Sequence, residues 1–147
     1  MINRILVLSA LVALTALAGC GTELGRVAFA AEGASEATVT LAAGEVHFWT
    51  DIDIDYKGDA ALGYRVELVQ NGAVVANVDC NPLGPMSVKM SWVETNFGSS
   101  HSRSGSGKMD CSVALAHGGP TVVRARLVFV QKPATLTLKK ADLAVKQ

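Results

Sequence analysis

The chain has 147 residues, of which half are hydrophobic, and its 13 basic side chains balance 13 acidic ones. This length suffices for one domain with a buried core. Because proteins that bind nucleic acid carry an excess of lysine and arginine, the balanced charge predicts no nucleic-acid partner. The sequence also lacks the basic run typical of proteins that bind anionic membranes by charge alone.

The start of the chain has the composition of an export signal. A polar stretch containing Arg4 precedes a run from Ile5 to Leu17 that is almost wholly apolar. This run is shorter than the roughly 18–20 residues that a membrane-spanning helix needs. Its length and flanking charge are those of the hydrophobic region of a signal peptide.

The apolar run ends in Leu17-Ala18-Gly19-Cys20, which resembles the bacterial lipobox. The resemblance implies that residues 1–19 are cleaved off as a signal peptide and that Cys20 becomes the acylated first residue of a lipoprotein. Several acyl chains, such as palmitate, anchor a protein stably. We therefore expect a lipid-anchored protein of the bacterial cell envelope. Gly21 stands where an enterobacterial inner-membrane protein would have aspartate, which favours the outer membrane.

Two cysteines remain once Cys20 is assigned to the lipid. Cys80 and Cys111 would lie in a compartment that permits disulfides, so we expect them to form a disulfide. The alternatives are two free thiols or a metal pair, although neither cysteine has a second ligand at the spacing of a zinc site.

Residues 20–36 are rich in glycine, alanine and glutamate, and we interpret them as a flexible tether. Residues 37–147 are predicted to form the folded domain. Apolar and polar residues alternate from Val46 to Asp55, which indicates a long strand. Asn71-Gly72 between two alternating segments predicts a tight hairpin. Further alternating segments are separated by turns rich in glycine and proline, and no convincing helix is found.

This pattern predicts an all-β fold: a two-layer antiparallel β-sandwich of about eight strands with one disulfide. The two cysteines with Trp92 between them resemble an immunoglobulin domain, whose cysteines are farther apart. Ala43-Gly44-Glu45 leading into a strand, followed by the segment 64–68, resembles jelly-roll modules attached to secreted bacterial proteases. The prediction therefore leaves Ig-like and jelly-roll-like sandwiches open.

The first candidate site is an acidic strand face formed by Asp51, Asp53 and Asp55, with Asp59 in the following loop. Carboxylates are the ligands that calcium prefers. However, Tyr56 and Leu62 stand where an EF-hand loop needs glycine and glutamate. We predict no cofactor for this face and keep calcium as an alternative, and a solvated strand face would explain it equally well.

The second candidate is the aromatic row of His47, Trp49 and Tyr56 beside these aspartates, which could stack against a sugar or pack under the tether. The third is the Ser/Gly-rich segment 98–107 with His101 and Arg103, which we interpret as a mobile loop. A catalytic constellation is not found, because no nucleophile has a recognisable base and orienting group. We therefore predict that the protein is not an enzyme.

Three functional hypotheses follow from these patterns. The first is a lipid-anchored accessory or structural protein that binds a protein partner in the envelope through an apolar or aromatic outer patch. The second is a carbohydrate- or calcium-binding module that uses Trp49, His47 and the three aspartates of the strand. The third is an inhibitor or immunity protein that presents the 98–107 loop to a target.

Overall fold

The computed structural model describes residues 21–147, so the predicted signal peptide and Cys20 lie outside the described residues. The described chain consists of strands and turns. It contains nine strands, in this order: β1 Glu23–Phe29, β2 Gly33–Leu41, β3 Gly44–Lys57, β4 Ala61–Gln70, β5 Ala73–Cys80, β6 Met86–Phe97, β7 Ser100–Leu115, β8 Gly119–Gln131 and β9 Leu136–Lys146. Residues 21–147 include no helix that could cross a membrane.

The strands form two antiparallel sheets. The five-stranded sheet has the order β1-β9-β3-β7-β6 and the four-stranded sheet the order β2-β8-β4-β5. Without β6, the two sheets have the orders β1-β9-β3-β7 and β2-β8-β4-β5, which are those of an eight-stranded jelly roll. The predicted all-β sandwich is therefore confirmed, and the topology selects its jelly-roll form. The observed strand number is nine, because β6 is inserted between β5 and β7.

The core lies between the two sheets and follows from alternation along the strands. Ile52 and Ile54 in β3 are fully buried, while the aspartates between them face outward, as predicted. Tyr64 in β4 reaches across the core, where its hydroxyl lies 3.1 Å from the hydroxyl of Thr50. Burial of this phenol raises its pKa above the ordinary value, so the hydroxyl stays protonated.

The disulfide between Cys80 and Cys111 is confirmed, and it links β5 of one sheet to β7 of the other. The Asn71-Gly72 hairpin is confirmed as well. Both residues have the positive φ that a tight type I′ turn requires, 51° for Asn71 and 76° for Gly72.

The tether predicted for residues 20–36 is wrong in its described part. Residues 23–29 form β1, which pairs with β9, and Gly33 begins β2, which pairs with β8. Val27 and Phe29 are buried in the core. Both ends of the described chain meet here, because the backbone N–H of Thr22 donates to the carbonyl of Gln147 at 2.9 Å.

Candidate functional site

The outer face of the five-stranded sheet carries three parallel rows of side chains at the end of the sandwich that is distant from Thr22 and Gln147. We call them the apolar ridge, the serine row and the acidic row. Directly opposed residues of antiparallel strands share a face, so the pairing places the rows side by side. The ridge consists of Met90, Val93 and Phe97 in β6, the serine row of Ser100, Ser102, Ser104 and Ser106 in β7, and the acidic row of Asp51, Asp53 and Asp55 in β3.

The apolar ridge is strongly exposed. The exposed fractions are 51% for Met90, 61% for Val93 and 85% for Phe97. Strand β6 is the edge of its sheet and, within residues 21–147, pairs only with β7. Its partner-free edge therefore combines unpaired backbone groups with apolar side chains, which is the combination that lets an edge strand recruit another strand.

A β-bulge in β6 places the ridge residues on one face, where simple alternation along the strand would separate them. Simple alternation would place Met86, Val88, Met90 and Trp92 on one face, but the pairing shifts between Met90 and Val93. Ser91 has a φ of 53° there, and Gly105 lies opposite it with a φ of 133°. A Cβ at Gly105 would lie 2.6 Å from the carbonyl oxygen of Ser91, so only glycine allows this approach. Beyond the bulge, Val93 and Phe97 share the outer face with Met90.

The serine row forms the floor of a trough between larger side chains. Its distal end opens into a groove of about 290 Å³, whose lining includes Phe97, Ser100, Ser102 and Asp55. Hydroxyl groups both donate and accept hydrogen bonds, and Phe97 offers an aromatic face beside them. This groove could therefore hold a neutral polar chain as well as a peptide segment.

The acidic row is largely neutralised by ion pairs on the side away from the serines. Asp51 lies 2.7 Å from the ammonium of Lys140 and 3.2 Å from the guanidinium of Arg26, and Asp55 lies 2.7 Å from the ammonium of Lys139. Among the described residues, no group of three or more metal-ligating side chains could hold a metal ion. Asp51 and Asp55 thus have cationic side chains as partners where the calcium alternative placed an ion.

These contacts shift the carboxylate pKa values. Burial alone would raise the pKa of Asp51, but hydrogen bonds from Lys140 and Arg26 outweigh it and lower that pKa below its ordinary value. Hydrogen bonds from Lys139 and Ser102 lower the pKa of Asp55. Both carboxylates are therefore ionised at neutral pH and stabilise the fold in that form.

Trp49 is on the outer face, as the alternation predicted, but it is only 2% exposed. The ammonium of Lys146 lies 3.9 Å from the centre of its ring, and its indole N–H has no hydrogen-bond partner. The side chain therefore contributes to the fold as a covered cation–π partner. The prediction that it offers a stacking surface for sugars is wrong for this conformation.

The other predicted aromatic residues are separated from Trp49. His47 is half-buried and lines a small groove together with Glu45 and Lys108. Tyr56 lies at the distal end, where its ring centre is 5.1 Å from that of His101. The structure therefore does not bring the predicted aromatic row together as one platform.

The segment 98–107 is not a mobile loop, and that prediction is wrong. Only Gly98 and Ser99 turn the chain, because β7 begins at Ser100 and pairs with β3 and β6 on its two sides. Arg103 forms an ion pair with Glu94 at 2.6 Å. His101 forms a hydrogen bond with Asn96, with 2.7 Å between Nδ1 and Oδ1. Both side chains therefore brace the β6–β7 hairpin.

Comparison with known proteins adds no relative. No model of a known protein family matches the sequence. No curated protein is significantly similar to it.

Proposed function

We propose that this protein is a lipid-anchored protein of the bacterial cell envelope, without enzymatic activity, that binds an extended segment of a partner protein along edge strand β6. The observation that carries the proposal is the exposed apolar ridge on a strand whose outer side pairs with no other strand of the described chain. Strand addition supplies backbone hydrogen bonds, and side-chain contacts on alternate residues supply specificity.

The ridge lies on the one strand that is additional to the jelly roll. At one edge of the sandwich β1 contacts β2, and at the other edge β5 contacts β7 and is joined to it by the disulfide. Strand β6 instead extends the five-stranded sheet beyond the four-stranded one. Between Val93 and Phe97 its pairing with β7 is regular, so its free edge offers an uninterrupted segment to a partner.

The position of the lipid would suit this use. Cys20, the proposed lipid carrier, directly precedes residues that pair with Gln147 at one end of the sandwich. Phe97 lies level with Lys57, at the other end of the 14-residue strand β3. Lys146 is level with His47, so the ten residues from position 47 to position 57, at about 3.3 Å each, would place Phe97 roughly 33 Å from the anchored end.

The test uses a photo-reactive amino acid placed at position 93 or 97 of the lipidated protein in its own envelope. We expect both positions to cross-link to the same segment of one protein, and a synthetic peptide of that segment to compete. Val93→Lys should abolish this product. Position 74 is the matched control, because Val74 is 50% exposed on β5, the edge strand of the other sheet. Equal cross-linking from positions 74, 93 and 97 would refute the proposal.

The lipid anchor is tested separately. The mass of the mature protein should show acylation of Cys20 and loss of residues 1–19. Cys20→Ser should release the protein from the membrane fraction without changing its thermal stability. An unmodified Cys20 in membrane-extracted protein would refute the anchor but leave the edge-strand proposal standing.

A second candidate is binding of a linear neutral glycan, and the observation that favours it is the trough of serine hydroxyls beside Phe97. In that case Phe97→Ala should weaken retention on envelope polysaccharide, while the photo-reactive positions should capture no protein. Val74→Ala should retain the glycan normally.

A further inference from the structure

The outer face of the four-stranded sheet contains two arginines that stand directly opposite each other. Arg65 in β4 and Arg126 in β8 are register partners, and both side chains are exposed on the polar face. Directly opposed like charges on neighbouring strands repel each other. We call these two residues the arginine pair.

The arginine pair is not neutralised by protein carboxylates. Among the described residues, neither guanidinium lies within 4.0 Å of an acidic oxygen. Asp79 is opposite Arg65 on β5 but forms no ion pair with it. On the other side, Ala34 of β2 is opposite Arg126, so this position offers no charge.

Arg124, one outward position away, shows how the same face neutralises an arginine. Glu36 of β2 and Glu67 of β4 are its register partners on either side, and their carboxylates lie 3.8 Å and 3.5 Å from its guanidinium. The face therefore pairs Arg124 with two carboxylates, whereas Asp79, the acid opposite Arg65, forms no ion pair with either member of the arginine pair.

A groove of about 260 Å³ opens at the arginine pair. Its lining consists of Ala34, Arg65, Glu67, Arg124, Ala125 and Arg126. The small side chain of Ala34, the register partner of Arg126 on β2, leaves space beside that guanidinium. Guanidinium groups bind phosphate oxygens through paired hydrogen bonds. The groove is large enough for a phosphate group together with part of the molecule that carries it.

We propose that Arg65 and Arg126 form a binding site for a phosphate group on the face opposite the β6 ridge. One phosphate between the two guanidiniums would replace their repulsion with two charge-assisted contacts. The phosphate could belong to a soluble ester or to a lipid headgroup, which present the same oxygens. The site is independent of the edge-strand proposal, because it uses the other sheet.

The experiment is titration of the purified protein with inorganic phosphate, followed by NMR of the arginine side-chain N–H groups. We expect saturable shifts of the Arg65 and Arg126 signals, and at least a tenfold weaker affinity in Arg126→Gln. The control Lys132→Gln removes an equal charge from an exposed side chain that does not line the groove, and it should change the affinity less than twofold. Thermal unfolding of each variant verifies that it is folded.

Vesicles of phosphatidylglycerol in phosphatidylcholine, and phosphatidylcholine alone, distinguish the two sources of phosphate. Co-sedimentation of a Cys20→Ser protein with the anionic vesicles only, lost in Arg126→Gln, would assign the site to a headgroup. Phosphate binding without co-sedimentation would assign it to a soluble ester. Absence of both, or equal loss in Lys132→Gln and Arg126→Gln, would overturn the proposal.

Discussion

The outer faces of the two sheets differ in how their arginines are paired with acidic side chains. On the five-stranded sheet, Arg26 lies between Glu23, Asp51 and Asp142, with distances of 2.7, 3.2 and 3.0 Å. On the four-stranded sheet, Arg65 and Arg126 are adjacent and have no acidic partner among the described residues. In the first arrangement each of these charged side chains has an oppositely charged partner within the protein, and the ion pairs stabilise the fold. The second leaves charge available for a ligand, which is the arrangement that binding requires.

The largest effect on stability is expected from loss of the disulfide that links the two sheets. Replacing Cys80 and Cys111 by alanine opens a loop with a sequence separation of 31 residues. Because the disulfide restricts the unfolded chain, its loss should lower the free energy of unfolding by about 3–4 kcal/mol. Urea unfolding followed by fluorescence and circular dichroism measures this. Unchanged stability would mean that packing alone joins the sheets.

A smaller loss of stability is expected when Arg26 is removed from the outer face of the five-stranded sheet. Arg26→Ala leaves the mostly buried carboxylate of Asp142 with only Lys140, at 3.9 Å. An unsatisfied group of this kind should lower the free energy of unfolding by about 1–2 kcal/mol. Arg124→Ala removes only exposed pairs and should cost at most about 1 kcal/mol. Equal losses of stability in Arg26→Ala and Arg124→Ala would contradict the proposed difference between the two faces.

Lowering the pH should selectively weaken the ion pairs on the outer face of the five-stranded sheet. The folded pKa values of Asp51 and Asp55 lie below the ordinary value of 3.8, so their contribution is complete above that pH and is lost as the pH falls through the folded pKa values. Urea unfolding measured from neutral pH to below 3.8 should show this decline. The double variant Asp51→Asn with Asp55→Asn should decline less steeply, and an unchanged slope would contradict these assignments.

The smallest expected effect on stability, that of Arg126→Gln, is not a loss. Because Arg126 repels Arg65, Arg126→Gln should leave stability unchanged or raise it by about 0.2–1 kcal/mol in buffer without phosphate. Added phosphate should raise the melting temperature of the unaltered protein and not that of the variant. A clear destabilisation by Arg126→Gln would show that the arginine pair has a structural role.

Sequence patterns predicted the parts of the fold that depend on local alternation. The β3 pattern, the Asn71-Gly72 turn and the Cys80–Cys111 disulfide are all observed. In contrast, β1 and the start of β7 have few buried apolar residues and many small ones. They are strands because neighbouring strands pair with them along their length, and such distant pairing leaves no periodicity in the local sequence.

The candidate sites were harder to predict than the fold. Alternation placed Trp49 on the outer face but could not show that Lys146 covers it. The bulge at Ser91 shifted the alternation of β6 by one residue, so Val93 and Phe97 were not recognised as exposed. The juxtaposition of Arg126 with Arg65 depends on the register between β4 and β8, which the local sequence does not reveal.

The position of β9 has a consequence for how the chain folds. The last strand of the sequence lies between β1, the first strand, and β3. Neither of those strands can complete its pairing until residues 136–146 have emerged from the ribosome or the export channel. Contacts between such distant parts of a chain slow folding, so the five-stranded sheet should assemble late and in a single step. Until then β1 would expose Val27 and Phe29, which gives a chaperone its most accessible binding segment.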